Sequence, residues 1–344
     1  MLLAREKTRV PSAIERLAGL QAQLARPPFV GLWSRLEGFR REDLIRALEA
    51  KQVVRATAMR ATLHLMSAKA YVALRPALSP GLEAGLRSVL RDRAGKIDLD
   101  GARAHARAFF EAEPRTMDAL RDEVGTRFGA DARAIAYAVR LTLPLVQVPG
   151  GEAWGFHGAA PFAVADRWLG ASVRTTPVAK DTQALVRSYL AAFGPASVQD
   201  AQSFTGVRGL ADAFAALRGQ LRAFRDERGR ELFDLPKAPR PDEDADAPVR
   251  FLPEYDSLVL AHDDRSRVID DAHRKAIFRA NLMVLPTFLV DGRVAGSWKI
   301  EKGTLAIQPF APLQKKMRAQ LEEEGLRLLA FVEPGARHAV KFAR

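Results

Sequence analysis

The chain has 344 residues, 48% hydrophobic and 27% charged, which supplies a substantial core and excludes a disordered chain; the length predicts about two to four folded units. Cysteine is absent, so disulfides, thiolate zinc sites and a cysteine nucleophile are excluded. Lys and Arg number 53 against 41 Asp and Glu, a net charge of +12 that suits a polyanionic partner, usually nucleic acid, or else reflects a general arginine bias.

In chain order, PSAIERLAGLQAQL reads as a short helix ending in a glutamine pair, and REDLIRALEAK puts Leu44, Ile45 and Leu48 on one helical face. The alternating stretch VVRATAMRATLHLMS suits a hairpin. A second set follows: RTMDALRDEVGTRF, with Thr116 as its cap, then ADARAIAYAVRL, then LPLVQVPGGEAWGF, where Pro-Gly-Gly separates two strand-like runs. The third set is DTQALVRSYLAAFG, PASVQDAQSFTG with Ser197 as cap, and LADAFAALRGQ. It ends in LRAFRDERGRELFDLP, with Arg-Gly-Arg at a hairpin tip.

KAPRPDEDADAPVR reads as a solvated linker. NLMVLPTFLVDGRVAGSWKIEKGTLAIQPF then predicts a small β-sheet or barrel, turning at Asp291-Gly292. A helix, PLQKKMRAQLEEEGLRLLAF, and a basic tail complete the chain. Helices followed by a hairpin is the winged-helix order. The predicted class is mainly α with β wings (α+β): three tandem winged-helix units at 1–100, 101–172 and 173–240, then a barrel-like region at 241–344.

Winged helices bind DNA through phosphate contacts from basic side chains, but they also mediate protein contacts. Arg55 and Arg60 on the first hairpin, and Arg225, Arg228 and Arg230 on the third, are candidate phosphate contacts; each alone could equally be a solvated hairpin arginine. Arg26, just beyond the glutamine pair, joins them. His64 alternates with Leu63 and Leu65 and could meet a phosphate or lesion, or make a structural hydrogen bond. Asp263, Asp264, Arg265 and Arg267 in HDDRSRV suit a charged network holding the last region against the helices. Trp33 suits a core; Trp154 and Trp298 suit a core or a base-stacking role. The six histidines lack H-x-H or H-x-x-x-H spacing, so no metal site and no cofactor is expected. MLLAREKTRV has no apolar leader core and no run of about 18 apolar residues occurs, so the expectation is a cytoplasmic protein with no membrane partner.

LQAQLARPPFVGLWSRL, RATLHLM and FLPEYDSLVLAHDDRSRVI together resemble the AlkZ/YcaQ-like DNA glycosylases, from about residue 10 to 310. The resemblance implies tandem winged helices with a C-terminal β-barrel and a concave DNA-binding face. It implies hydrolysis of the N-glycosidic bond of alkylated purines, including bulky and cross-linking N7 adducts. It places the catalytic Gln-x-Gln on Gln21 and Gln23. The middle residue is alanine, the smallest of the aliphatic residues usual there. The implied protein is a monofunctional glycosylase acting, as a monomer, on double-stranded DNA, and nucleoid-associated when bound. The competing classes are a non-catalytic DNA-binding transcription regulator, for which no dimerisation or sensor element is apparent, and a protein-interaction scaffold.

The chemistry is consistent with amides. An N7-alkylated purine is already cationic and leaves without protonation, through an oxocarbenium-like transition state. A glutamine oxygen can accept a hydrogen bond from water but cannot titrate as a base. Residues two apart point about 200° from each other on a helix. In an extended segment they share a face, about 6.5–7 Å apart. The motif is therefore expected at or beyond the helix end. If basic side chains contact six to ten phosphates, affinity for duplex DNA should fall about 10³-fold or more between 50 and 200 mM salt. A salt titration with a nearly flat slope would reject phosphate contacts.

Overall fold

The computed structural model describes residues 1–90, 98–128, 132–242 and 244–343. The first element, α1 (Val10–Arg16), stops early. Ala18 and Gly19 take positive φ, and the chain leaves as an extended strand, β1 (Leu20–Gln21). Pro27 and Pro28 then open α2 (Pro27–Trp33), where a missing N–H costs nothing. After α3 (Arg41–Glu49) the expected hairpin forms from β2 (Val53–Thr57) and β3 (Leu63–Ser67).

A 23-residue helix that the sequence reading does not anticipate, α4 (Ala68–Leu90), follows. It carries Pro76 and Pro80 internally, yet Tyr71, Leu74, Leu78, Leu82 and Leu86 bury one continuous stripe. Burial of that stripe outweighs the proline cost of about 3 kcal/mol each. Buried Arg75 on this helix donates to the carbonyls of Leu141 (3.0 Å) and Thr142 (3.3 Å).

The second set comprises α5 (Leu99–Ala112), α6 (Met117–Phe128) and α7 (Ala132–Thr142). Thr116 caps α6 as expected, accepting from the Ala119 N–H at 3.1 Å. α5 is not among the expected helices, and Ala130 and Asp131, the first residues of the second helix expected in this set, lie outside the described residues. The Pro-Gly-Gly hairpin is not found. β4 (Leu145–Gln147) pairs with β5 (Phe162–Val164), and the intervening loop carries Trp154 to Phe29 of α2. Packing of that indole competes successfully with a tight turn. β4 also pairs with β2, so the first two sets share one antiparallel sheet in the order β1-β3-β2-β4-β5.

Beyond the short α8 (Ala165–Leu169), the third set matches its expected order: α9 (Ala179–Phe193), α10 (Val198–Thr205), α11 (Ala211–Leu217) and a separate hairpin of β6 (Arg222–Arg225) and β7 (Glu231–Asp234). Ser197 caps α10 in a reciprocal box with Asp200. The linker is largely without regular structure in its described residues and leads into β8 (Arg250–Leu252).

After α12 (Ser257–Leu260) and α13 (Asp271–Ile277) come β9 (Thr287–Val290), β10 (Arg293–Glu301) and β11 (Thr304–Pro309). The β9–β10 turn is Asp291-Gly292, both at positive φ as the twist of a two-residue hairpin requires. The helix α14 (Lys315–Val332) covers the sheet, and the basic tail forms β12 (Ala339–Phe342), parallel to β11. The sheet order is β12-β11-β10-β9-β8. Among the described residues β8 and β12 remain its edges, so the sheet alternative holds and no closed barrel forms. No described helix is long and apolar enough to cross a membrane.

The C-terminal sheet docks on the first set through α2. Val30 enters its core, and Ser34 donates to the Phe251 carbonyl. Beside it Arg35 grips Asp256 with two hydrogen bonds of 2.8 and 2.9 Å, both side chains almost completely buried. Removing one partner strands a buried charge. Arg35→Ala or Asp256→Ala should therefore lower unfolding free energy by about 3–5 kcal/mol. Denaturant titration checks this, and a loss below about 1 kcal/mol would contradict the placement.

Candidate active site around the Gln-x-Gln segment

Gln21, Ala22 and Gln23 leave the helix and extend along the open edge of β3, as the two-residue spacing requires. Leu20 pairs with Leu65 and Gln21 with His64, while the Ala22 N–H donates to the Leu63 carbonyl at 2.7 Å. Gly19 makes this entry geometry. Its φ is +95°, and a Cβ there would sit 3.1 Å from Met59 Cε and 3.2 Å from the Leu65 carbonyl oxygen. Ala22 is buried in the core of the first set, so a small residue meets a tight space.

Both glutamine side chains are tied to the β2–β3 hairpin. Arg60 Nη2 donates to Gln21 Oε1 at 2.7 Å, and the Leu63 backbone N–H donates to Gln23 Oε1 at 2.9 Å. Because both neighbours are donors, each amide oxygen must face the hairpin. Neither NH2 group has a protein acceptor among the described residues. Each oxygen keeps a second lone pair. Gln21 is 9% exposed, and Gln23 is exposed.

Arg55 holds the backbone of the same segment: Nε donates to the Ala22 carbonyl at 2.8 Å and Nη2 to the Gln23 carbonyl at 3.2 Å. Its guanidinium stacks over Phe156, 4.8 Å from the ring centre. Arg60 also donates to the Phe204 carbonyl at the end of α10 and stacks over that ring. Gly206, the left-handed cap of α10, lies so close that a Cβ would sit 3.0 Å from Arg60 Cα. Arg60 itself is held at φ +53°. Burial pulls Arg55 down to about 10; burial and then the charge of Arg265 do the same to Arg60. Both stay cationic near neutrality.

These positions bear on three expectations that carried alternatives. Arg55 and Arg60 are not solvated hairpin arginines; their guanidiniums are occupied beneath the motif. His64 is 1% exposed with Nδ1 3.0 Å from the Thr62 carbonyl, the structural hydrogen bond that was its alternative to a phosphate or lesion contact. Trp298 is core, its Nε1–H donating to Leu252 and Thr287 carbonyls at 3.0 and 2.9 Å. Trp33 and Trp154 are half-buried beside Phe331.

Of the third-hairpin arginines, Arg225 is exposed and makes no ion pair among the described residues. Arg228 and Arg230 both pair with Asp264, at 3.0 and 2.8 Å, and Arg230 also with Asp226 at 2.6 Å. Hydrogen bonds from Ser266 and those two guanidiniums hold Asp264 down near 2. The HDDRSRV run is the structural network it was expected to be. The Asp263 N–H donates to Asp200 at 2.9 Å and Arg267 to the Pro195 carbonyl at 3.0 Å. Arg26 stays near the motif, one-third exposed, and pairs with Glu254 at 3.1 Å. Glu254 and the Arg60–Gln21 link escaped the sequence reading. Their only signal was that RATLHLM and LPEYD accompany the glutamine pair. Among the described residues no group of three or more His, Asp or Glu could hold a metal ion.

The family model described as DNA glycosylase AlkZ-like matches residues 14–331. The chain belongs to the AlkZ-like DNA glycosylase family. It is thus an enzyme of the DNA glycosylase class. An interstrand DNA cross-link repair glycosylase of Streptomyces sahachiroi is 26% identical over 350 residues, covering 91% of this chain and 89% of that protein. The solved Streptomyces sahachiroi DNA glycosylase AlkZ superposes with a TM-score of 0.82 at 22% identity, across 99% of this chain and 95% of that one, so the overall fold is that of the AlkZ-like family.

Burial, then the charge of Arg60, push His64 down to about 3. Its folded value lies below its unfolded one, so the stability it contributes is complete above about pH 6.5. That stability is lost as pH falls toward 3, by about 1.4 kcal/mol per pH unit. From pH 7 to pH 5 the His64 contribution should fall by about 2 kcal/mol, and His64→Asn should remove that part of the slope. Equal pH slopes for the two proteins in denaturant titrations would show that His64 is not buried and neutral.

Proposed function

We propose that this glycosylase hydrolyses the N-glycosidic bond of N7-alkylated purines in duplex DNA, bulky and cross-linked adducts included, as a monofunctional, monomeric enzyme. Gln21 and Gln23 are the catalytic pair in this reading. The observation that carries it is the extended Gln-x-Gln segment with both amides tethered to one hairpin. Such tethering fixes two amides without fixing a charge between them. The name of the Streptomyces sahachiroi relative supports the cross-link substrate.

In this mechanism a water oxygen bonds to C1′ of the sugar while the C1′–N9 bond breaks. The bonding electrons go to the base, which departs as a neutral alkylpurine because its positive charge is thereby cancelled. The free lone pairs of the two amide oxygens accept hydrogen bonds from the attacking water, and its proton passes to solvent. The NH2 groups donate to sugar or phosphate oxygens. A neutral purine, whose departure needs protonation, is not a substrate, since no amide can supply that proton.

Two DNA-contact groups and one supporting set follow. Arg26 and Arg225 are the direct phosphate contacts. Arg228 and Arg230 shape the third hairpin through Asp264 and present their remaining donors to the backbone. Arg55, Arg60 and His64 act through the motif, by position and by the positive field of the two guanidiniums. The three helical sets, each with a strand pair, act as winged-helix units at 1–100, 101–172 and 173–240, with 241–344 closing one side of the DNA-binding face.

The test is release of free base and formation of abasic sites from a duplex carrying N7-methylguanine. Gln21→Ala and Gln23→Ala should each slow release by about 10²-fold or more while retaining duplex affinity. Tight binding without base release from any adduct would instead indicate a non-catalytic DNA-binding protein.

A further inference from the structure

A cleft of about 490 Å³, joined to the motif segment through Arg26, has a lining that includes Arg26, Glu254, Arg279, Met283, Lys299 and Gln308. Its floor is the outward face of β10 and β11, and its outer lip is a tight turn over residues 279–283. The turn is closed by Arg279 N–H to Met283 O (2.9 Å) and Leu282 N–H to Arg279 O (3.0 Å). Arg26, three residues after Gln23 in sequence, is the lining residue that ties the cleft to the motif segment. A methyl substituent on a purine has no use for such a volume, which falls in the range typical of small-molecule sites.

We infer that this cleft receives the non-base portion of a bulky N7 adduct: a group with an apolar body and a hydrogen-bond donor. The inference rests on the proposed function. The N7 atom of a stacked purine opens on the major groove, so a substituent there projects away from the stack while the glycosidic bond stays on the sugar side. A site for it must therefore adjoin the catalytic segment without containing it. Arg26 and Glu254 make that junction through their ion pair.

The chemistry of the walls is mixed in the required way. Met283 is a flexible, polarisable apolar surface, 38% exposed. Gln308 offers an acceptor. Glu254 Oε2 is out of contact with solvent and has no hydrogen-bond partner, while Oε1 accepts from Arg26. A modest rotation about the soft terminal torsion of the glutamate would bring that free oxygen to a donor in the cleft. Arg279 lines the cleft, makes no ion pair among the described residues, and is free to stack its guanidinium on the apolar body of the adduct. The turn, which holds Leu282 at φ +64°, presents that leucine 87% exposed, an exposure that packing within the chain does not explain. That exposure is accounted for if the lip lies against the substituent of the adduct.

The experiment compares two duplexes, one with N7-methylguanine and one with N7-(2-hydroxy-1-phenylethyl)guanine, whose phenyl ring and hydroxyl match the cleft. Ala306→Trp fills the floor, and Arg279→Ala tests the lip without added bulk. For the phenyl adduct kcat/KM should fall tenfold or more in Ala306→Trp and threefold or more in Arg279→Ala; for the methyl adduct both should stay within twofold of the unsubstituted enzyme. Equal losses on the two adducts, or none on either, overturn the assignment. An unsubstituted enzyme that releases the methylated base but not the phenyl adduct also overturns it, leaving the proposed function standing. Release of neither base from bound duplex overturns the proposed function itself.

Discussion

Two buried guanidiniums set the geometry on which the site depends. Arg55 holds the carbonyls of Ala22 and Gln23, and Arg60 holds the side-chain oxygen of Gln21. An extended pair of residues at the edge of a sheet would ordinarily fray, because only a few backbone hydrogen bonds secure it. Here charge-assisted bonds in a desolvated setting do that work, and such bonds are about twice as strong as neutral ones. The cost is that two cations are kept out of water, which their lowered pKa values record. Phe156 and Phe204 lie under the two charges and offset part of that cost.

The anchor for Arg60 comes from another part of the molecule. Phe204 and Gly206 belong to α10, which packs against the hairpin turn, and Gly206 also abuts Gly81 of α4 at a distance no side chain could fill. Arg26 is held from the opposite side by Glu254, in the loop whose neighbour Asp256 takes Arg35. The motif therefore sits where three regions meet: the first sheet, the third helical set and the C-terminal sheet. A uniform excess of arginine is consistent with this arrangement, since several of these residues serve the interior before any partner is considered.

Local signals in the sequence were legible wherever a few adjacent residues decide the outcome. Asp291-Gly292 made its turn, Ser197 and Thr116 made their caps, and the glutamine pair left its helix on schedule. What stayed illegible depends on contacts between distant segments. Nothing near Arg55 or Arg60 announces that their partners are Gln21, Gln23 and Phe204 rather than water. The prolines of α4 argue against a helix until its apolar stripe is seen to be covered by other elements. The Pro149-Gly150-Gly151 segment looks like a tight turn, yet the loop is drawn out by Trp154 packing on Phe29. The resemblance supplied what periodicity could not, because the segments that carry it are the ones that surround the glutamines.

The span of the supporting contacts has a consequence for synthesis of the chain. The catalytic candidates precede their supports in the chain: Arg60 finds Phe204 across 144 positions and Arg26 finds Glu254 across 228. A nascent or truncated chain carries the glutamines without the scaffold that aims them. The motif segment therefore gains its full set of tethers only once the residues through Glu254 have folded onto it.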